Sequence, residues 1–149
     1  MIDRGRIGFR TAATIVRVEG WRVKLFCAAI GETDPVYLDD AAARAAGHRA
    51  CLLPPTFLKA IDGEHFSSAA MLDVLAMPVG GVLHAEQTFH HVGPVYVGDE
   101  VEVSRTIVDI FEKKNGAMCF VVIQSDYRVA ARAVASSRQT ILIRQAAAA

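Results

Sequence analysis

Glu100-Val-Glu-Val-Ser-Arg-Thr-Ile-Val-Asp-Ile-Phe111, then Lys114-Asn-Gly116, then Ala117-Met-Cys-Phe-Val-Val-Ile-Gln-Ser-Asp-Tyr-Arg-Val129 is the stretch that decides the fold. Two long runs rich in strand-forming residues flank an Asn-Gly pair. That pair tolerates the positive φ a tight turn between antiparallel strands requires, so the stretch predicts a hairpin. Met118 to Ile123 is almost continuously apolar, as expected of a central strand buried on both faces.

Working outward, Ala133 to Arg144 predicts a last strand, with Val134, Ile141, Leu142 and Ile143 as core contacts. Val82 to Val92 predicts the strand before the hairpin. Strand alternation puts His84, Glu86, Thr88 and His90 on one face. It puts Leu83, Ala85, Gln87, Phe89 and His91 on the other, which has the more apolar composition and is expected to be buried. Pro94 to Asp99 is a loop with a Gly98-Asp99 turn. Near the start, Ala12 to Val18 is rich in β-branched residues and predicts a first strand.

Between that strand and the later four lies a helical stretch. Trp21 to Ile30 carries apolar residues at helical spacing and is expected to pack Trp21 in the core. Asp39 to Ala46 combines good helix formers with acids at its start. His48-Arg49 is expected to be solvated. Pro54-Pro55 fixes the entry to another helix, which Thr56 can cap and which begins near Phe57. Leu58 to Ile61 and Ser68 to Leu75 predict short helices broken around Asp62-Gly63, with His65 exposed in the break. Pro78-Val-Gly-Gly81 ends the helical part, and the tail 146–149 is expected to fray.

A run of helix beside a run of antiparallel strands predicts an α+β fold. The expected architecture is a single domain over 1–149, an antiparallel sheet wrapped around a central helix. Its open edge needs a partner chain or protection.

The chain carries 16 basic and 16 acidic residues and no basic stripe, which argues against nucleic acid as a partner. No run approaches the roughly 20 apolar residues that span a bilayer, and the charged N-terminus lacks a secretory pattern. Three widely spaced cysteines, Cys27, Cys51 and Cys119, fit reduced packing residues of a cytoplasmic protein. No metal-ligand spacing and no phosphate-cradling glycine motif occurs, so neither a metal nor an organic cofactor is expected.

The loop Gly31-Glu-Thr-Asp-Pro-Val-Tyr37 follows the apolar helix directly. Gly31 can close that helix, and Pro35 excludes helix at Asp34. Glu32 and Asp34 are thereby held on a punctuated turn, either as an ordinary cap and Asx turn or as a binding loop.

Three segments in order carry a resemblance. They are Ala29-Ile-Gly-Glu-Thr-Asp-Pro35, Leu53-Pro-Pro-Thr-Phe57, and Leu83-His-Ala-Glu-Gln-Thr-Phe-His-His-Val-Gly-Pro94 with Val97-Gly-Asp99 behind it. From about Arg6 to Arg144 the chain resembles the N-terminal-type MaoC dehydratase domain, a hot-dog fold. The resemblance implies an (R)-specific enoyl-CoA hydratase or 3-hydroxyacyl-thioester dehydratase. Its substrate would be an acyl thioester of coenzyme A or acyl carrier protein, which needs no separate cofactor.

The family's catalytic loop reads Gly-Asp-x-Asn-Pro-x-His. Gly31 and Pro35 match; Glu32 falls at the Asp, Asp34 at the Asn and Tyr37 at the His. The resemblance thus implies Glu32 as acid/base and Asp34 as the residue orienting water. Tyr37, Pro55, Thr56 and Phe57 would bind substrate, with backbone N–H groups near Thr56 and Phe57 polarising the thioester carbonyl.

Histidine titrates near neutrality and an unperturbed tyrosine near 10. Loss of one acid–base partner commonly costs about 10²–10⁴ in rate. Either a strand histidine, His84 or His91, replaces the missing base, or the chain is a non-catalytic half that pairs as a homodimer or with another hot-dog subunit. A hot-dog thioesterase using Glu32 or Asp34 is a further alternative, because fold does not fix function.

Overall fold

The computed structural model describes residues 2–77 and 80–144. The expectations for Pro78-Val79 and for the tail 146–149 fall outside them. Strand β1 (Thr14–Arg17) is followed by helices α1 (Gly20–Ile30), α2 (Pro35–Leu38) and α3 (Asp40–Ala45). A 3-10 turn (Pro55–Phe57) leads into α4 (Leu58–His65), and α5 (Ser68–Val74) completes the helices. Strands β2 (Val82–His91), β3 (Glu100–Lys113), β4 (Met118–Val129) and β5 (Arg132–Arg144) follow. The five strands form one antiparallel sheet in the order β1-β3-β4-β5-β2.

The hairpin forms where the Asn-Gly pair predicts it. Lys114, Asn115 and Gly116 take φ of 53°, 52° and 85°, and the Ala117 N–H donates to the Lys114 carbonyl at 3.1 Å. β4 is the central strand; its inner face is closely covered, and its outer face is covered in part, at Val122. Cys119, Val121, Ile123 and Tyr127 are buried, while Met118 and Phe120 on the outer face are half-buried, Phe120 stacked on Phe111.

Register shifts in β2, in β3 and between β4 and β5 bend the sheet around α4. This is the expected sheet wrapped on a central helix.

The inner face of the sheet is not uniformly apolar. Val101, Val103, Arg105 and Ile107 point inward in alternation, and Arg105 is as buried as its neighbours, at 2% exposure. Ser125 pairs with both Arg105 and Ser137, and Gln139 pairs with both Ile123 and Gln87. A polar band therefore crosses the concave face. It separates a core cluster around Val103, Tyr127, Phe57 and Ile61 from a second around Ile107, Ile123, Ile141 and Met71.

Helix α4 meets the band with its own polar residues. The Tyr127 hydroxyl donates to Asp62 Oδ1 at 2.8 Å and lies 3.1 Å from Ser137 Oγ. Lys59 Nζ donates to Gln139 Oε1 at 2.8 Å. Burial drives the Tyr127 phenol far above its ordinary value, and the Asp62 charge adds to that. Burial also lowers the Lys59 ammonium, against the opposing pull of Asp62.

Several expectations are corrected here. Asp62-Gly63 does not break the helix, because the Asp62 carboxylate is held inside by Tyr127 and Lys59; the break falls at Phe66-Ser67. His65, expected to be exposed, is half-buried at the end of α4, its ring nitrogens bonded to the Thr11 and Thr14 hydroxyls.

Trp21 is 66% exposed rather than packed in the core. The line that α1 buries is Val23 and Cys27, because Gly20 sits close against Val97 and turns the helix that way. Arg49 is not simply solvated; it pairs with buried Asp99 and stacks over Tyr96.

Removing the Tyr127 hydroxyl takes a donor from the buried Asp62 carboxylate. Tyr127→Phe is expected to lower stability by about 1–3 kcal/mol in urea unfolding. The cysteines give a second check. All three are buried free thiols. Burial raises each, and Asp40 helps push Cys51 up to about 11. Iodoacetamide at neutral pH is expected to label none in the folded chain and all three in urea, read by mass spectrometry.

Candidate functional site

The loop after α1 is assembled by backbone bonds before any side chain acts. Gly31 takes φ 72°, the left-handed conformation that closes a helix, and its N–H turns back to the Ala28 and Cys27 carbonyls. The Glu32 N–H also donates to the Cys27 carbonyl, at 2.9 Å. Glu32 Oε1 then accepts from the N–H groups of Thr33 and Asp34, each at 2.8 Å.

Asp34 Oδ1 accepts from the Val36 N–H at 2.9 Å and so caps α2, with Pro35 at the first helical position. Asp39 does the same for α3 through the Ala42 N–H at 2.7 Å. Both acidic residues of the loop thus hold backbone.

The four-residue helix α2 presents Tyr37 to a cleft of about 330 Å³. The opposite wall is the Leu52-Leu53-Pro54-Pro55 segment with Leu58 at the start of α4. The rest comes from His91 and the Val92–Val95 connection after β2. Bonds from the Leu53 N–H to the Val95 carbonyl and from the Leu52 N–H to the Val36 carbonyl tie these walls together. Tyr37 and His91 are the polar side chains in an otherwise apolar lining.

Burial raises the Tyr37 phenol, followed by the negative charges of Glu32 and Asp34 and by Cys27. At neutral pH Tyr37 therefore keeps its proton: it can donate a hydrogen bond and does not act as a base.

Of the sequence-predicted residues, Tyr37 and Pro55 meet in this cleft. Glu32 and Asp34 lie on the loop beside it, not in its lining. Thr56 is exposed and caps nothing, because the two prolines start a 3-10 turn one residue earlier and leave Thr56 inside it. Phe57 is a core residue, edge-on to Phe26 at 5.2 Å, and its N–H donates to the Pro54 carbonyl at 3.0 Å.

His84 lies elsewhere. The shift in register at Ala85 turns His84 onto the same inner face as His91, not the opposite one, but in a different pocket with Lys59 and Arg105. The histidine that shares a cleft with Tyr37 is His91. Alternation alone placed it inward; the Pro94 turn that completes the wall was its further signal in the sequence. Among the described residues no group of three or more side chains could hold a metal ion, and no helix is long and apolar enough to cross a membrane.

Comparison with known proteins follows the same lines. The dehydratase domain region described as FAS1-like matches residues 6–136. A UPF0336 protein of Streptomyces griseus subsp. griseus is 36% identical over 86 residues, 58% of this chain and 57% of that relative. The match thus spans less than two thirds of the relative's length.

The C-terminally truncated HadBC (3R-hydroxyacyl-ACP dehydratase) complex of Mycobacterium tuberculosis superposes with a TM-score of 0.78 at 19% identity, covering 92% of this chain and 96% of that one. A solved MaoC-like dehydratase superposes at 0.81 with 20% identity, covering 95% of this chain and 43% of that longer one. With a sheet wrapped on α4 and a family match over most of its length, the chain belongs to the FAS1-like dehydratase domain region, a MaoC-like dehydratase hot dog.

Proposed function

We propose that this chain is an acyl-thioester-binding protein of the (R)-specific enoyl-CoA hydratase and 3-hydroxyacyl-thioester dehydratase type, working as one half of a hot-dog pair. The observation that carries this is Tyr37. A protonated phenol faces the cleft where the catalytic relatives have histidine, so the chain holds a binding site without its neutral-pH base.

The apolar walls from Leu52 to Leu58 and from Val92 to Val95 suit an acyl group. The coenzyme A or carrier-protein arm belongs to the substrate, and the reading calls for no further cofactor. In hydration, a base takes a proton from water as oxygen bonds to C3 of the enoyl group, and C2 accepts a proton. Here the Tyr37 hydroxyl would donate to a substrate oxygen, and the partner subunit would supply the histidine.

Pairing is supported by the open edge of the sheet. β2 is ten residues long, lies at the edge and carries exposed Leu83, with exposed Val92 just beyond it. Trp21 and Leu25 form a further exposed apolar line on α1. The relative solved as a two-component dehydratase complex supports the same arrangement. The partner would be a second copy or another hot-dog subunit, and the free buried thiols suit a cytoplasmic setting.

The thioesterase alternative draws no support from the loop, where Glu32 and Asp34 are engaged by backbone. His91 gives one other reading a specific footing: activity of the chain alone, with His91 as base.

The test is hydration of crotonyl-CoA by the purified chain, alone and mixed with a histidine-bearing MaoC-type subunit. Turnover is expected in the mixture and not in the chain alone. Solo turnover at ordinary enzyme rates, about 1–10³ s⁻¹, overturns the pairing; His91→Ala and Glu32→Gln then identify the base by which variant abolishes it. Asp34→Ala removes the α2 cap and is expected to cost about 1 kcal/mol in thermal unfolding, leaving turnover in the mixture within a few-fold.

A further inference from the structure

The polar band under α4 holds more positive charge than it balances. Arg105 is 2% exposed. Its two terminal nitrogens donate to the Phe66 carbonyl at 2.8 Å and to Gln139 Oε1 at 3.1 Å, both neutral acceptors. Its Nε is buried with no partner among the described residues. Lys59 Nζ shares the same Gln139 oxygen and lies 3.4 Å from Asp62 Oδ2.

Asp62 is the carboxylate of this cluster, and it also accepts from Tyr127. Two cations therefore face one anion. Among the described residues no further acidic side chain pairs with Arg105 or Lys59. A buried charge without a counter-ion is costly, and an ion pair restores the balance.

A pocket of about 220 Å³ opens beside these groups. Lys59, Arg105 and Gln139 share its wall with Met71, Leu72 and Ile141. None of its residues lines the Tyr37 cleft. A cationic pair beside an aliphatic wall selects an anion with an apolar tail. An inorganic anion would leave the aliphatic wall empty, and a neutral lipid would leave the charge unbalanced.

We propose that this pocket binds an aliphatic monocarboxylate, its carboxylate against the Lys59 ammonium with the buried Arg105 guanidinium charge behind it, and its chain against Met71, Leu72 and Ile141. Lys59 suits the contact because its ammonium is a mobile point charge at the pocket wall, while Arg105 adds its charge from behind without giving up its bonds to Phe66 and Gln139. The proposal stands apart from the acyl-thioester reading, since the two sites share no residue.

The full chain is titrated calorimetrically with sodium hexanoate, 1-hexanol and sodium phosphate. Hexanoate is expected to bind at least tenfold more tightly than either of the others and to raise Tm with concentration. Equal affinity for hexanoate and hexanol overturns the charge argument, and equal affinity for phosphate overturns the requirement for a tail.

Lys59→Met is expected to weaken hexanoate at least tenfold. Ser68→Glu, at an exposed position on the pocket rim, supplies an anion and is expected to abolish hexanoate binding. Binding unchanged in both variants overturns the site. Crotonyl-CoA turnover in the mixed assay reads the Tyr37 cleft separately and is unaffected by the outcome.

Discussion

A carboxylate on α4 and a phenol on the central strand meet inside the molecule, and much else follows from that contact. Asp62 is 1% exposed and could not remain there ionised without donors. Tyr127 supplies one at 2.8 Å and Lys59, one helical turn earlier, lies close enough to supply another. The bond fixes how far α4 sits along β4 and which of its faces looks down. That placement sets the 3-10 turn ahead of the helix, and with it the Pro54-Pro55 wall of the cleft. An apolar helix could slide on an apolar sheet at little cost; a buried polar pair has one register in which it is satisfied.

The loop between α1 and α2 shows how an active-site scaffold outlives a change in its chemistry. Its glycine and proline set a path that Glu32 and Asp34 then secure with three backbone hydrogen bonds. Those bonds need an acceptor and no particular protonation chemistry, so they persist whether residue 37 is an imidazole or a phenol. The negative charge they concentrate near Tyr37 is the same charge that raises its phenol. An imidazolium there would be stabilised by it instead.

What was legible in the sequence follows from which signals are local. The 114–117 turn, the αL cap at Gly31 and the alternation of Val101, Val103 and Ile107 each rest on neighbours in the chain and were readable. Arg105 sits in phase with that alternation, and its burial rests on distant partners, the Phe66 carbonyl and the Gln139 side-chain oxygen, that no local signal shows. α1 misled for a different reason. Trp21, Leu25, Val23 and Cys27 make apolar lines on two sides, and the period of the helix cannot say which line faces in. The helix was likewise expected to stop at Asp62-Gly63, because an acidic residue and a glycine look like a break until a partner from β4, 65 residues away, is known.

The extra residue at Ala85 makes β2 two half-strands of opposite phase. Val82 and His84 turn inward before it, Gln87 and Phe89 after it, while Leu83 is left outside. The extra residue adds a bend and leaves the lining of the Lys59–Arg105 pocket unchanged, because His84 stays opposite Ile141 and Glu86 opposite Thr140 on either side of it. Deleting Ala85 would leave those pairings in place and restore simple alternation, His84 inward and Glu86 outward, while removing the local bend of β2. Relatives that differ by a single gap here would keep the same pocket lining and differ in the curvature of the sheet edge.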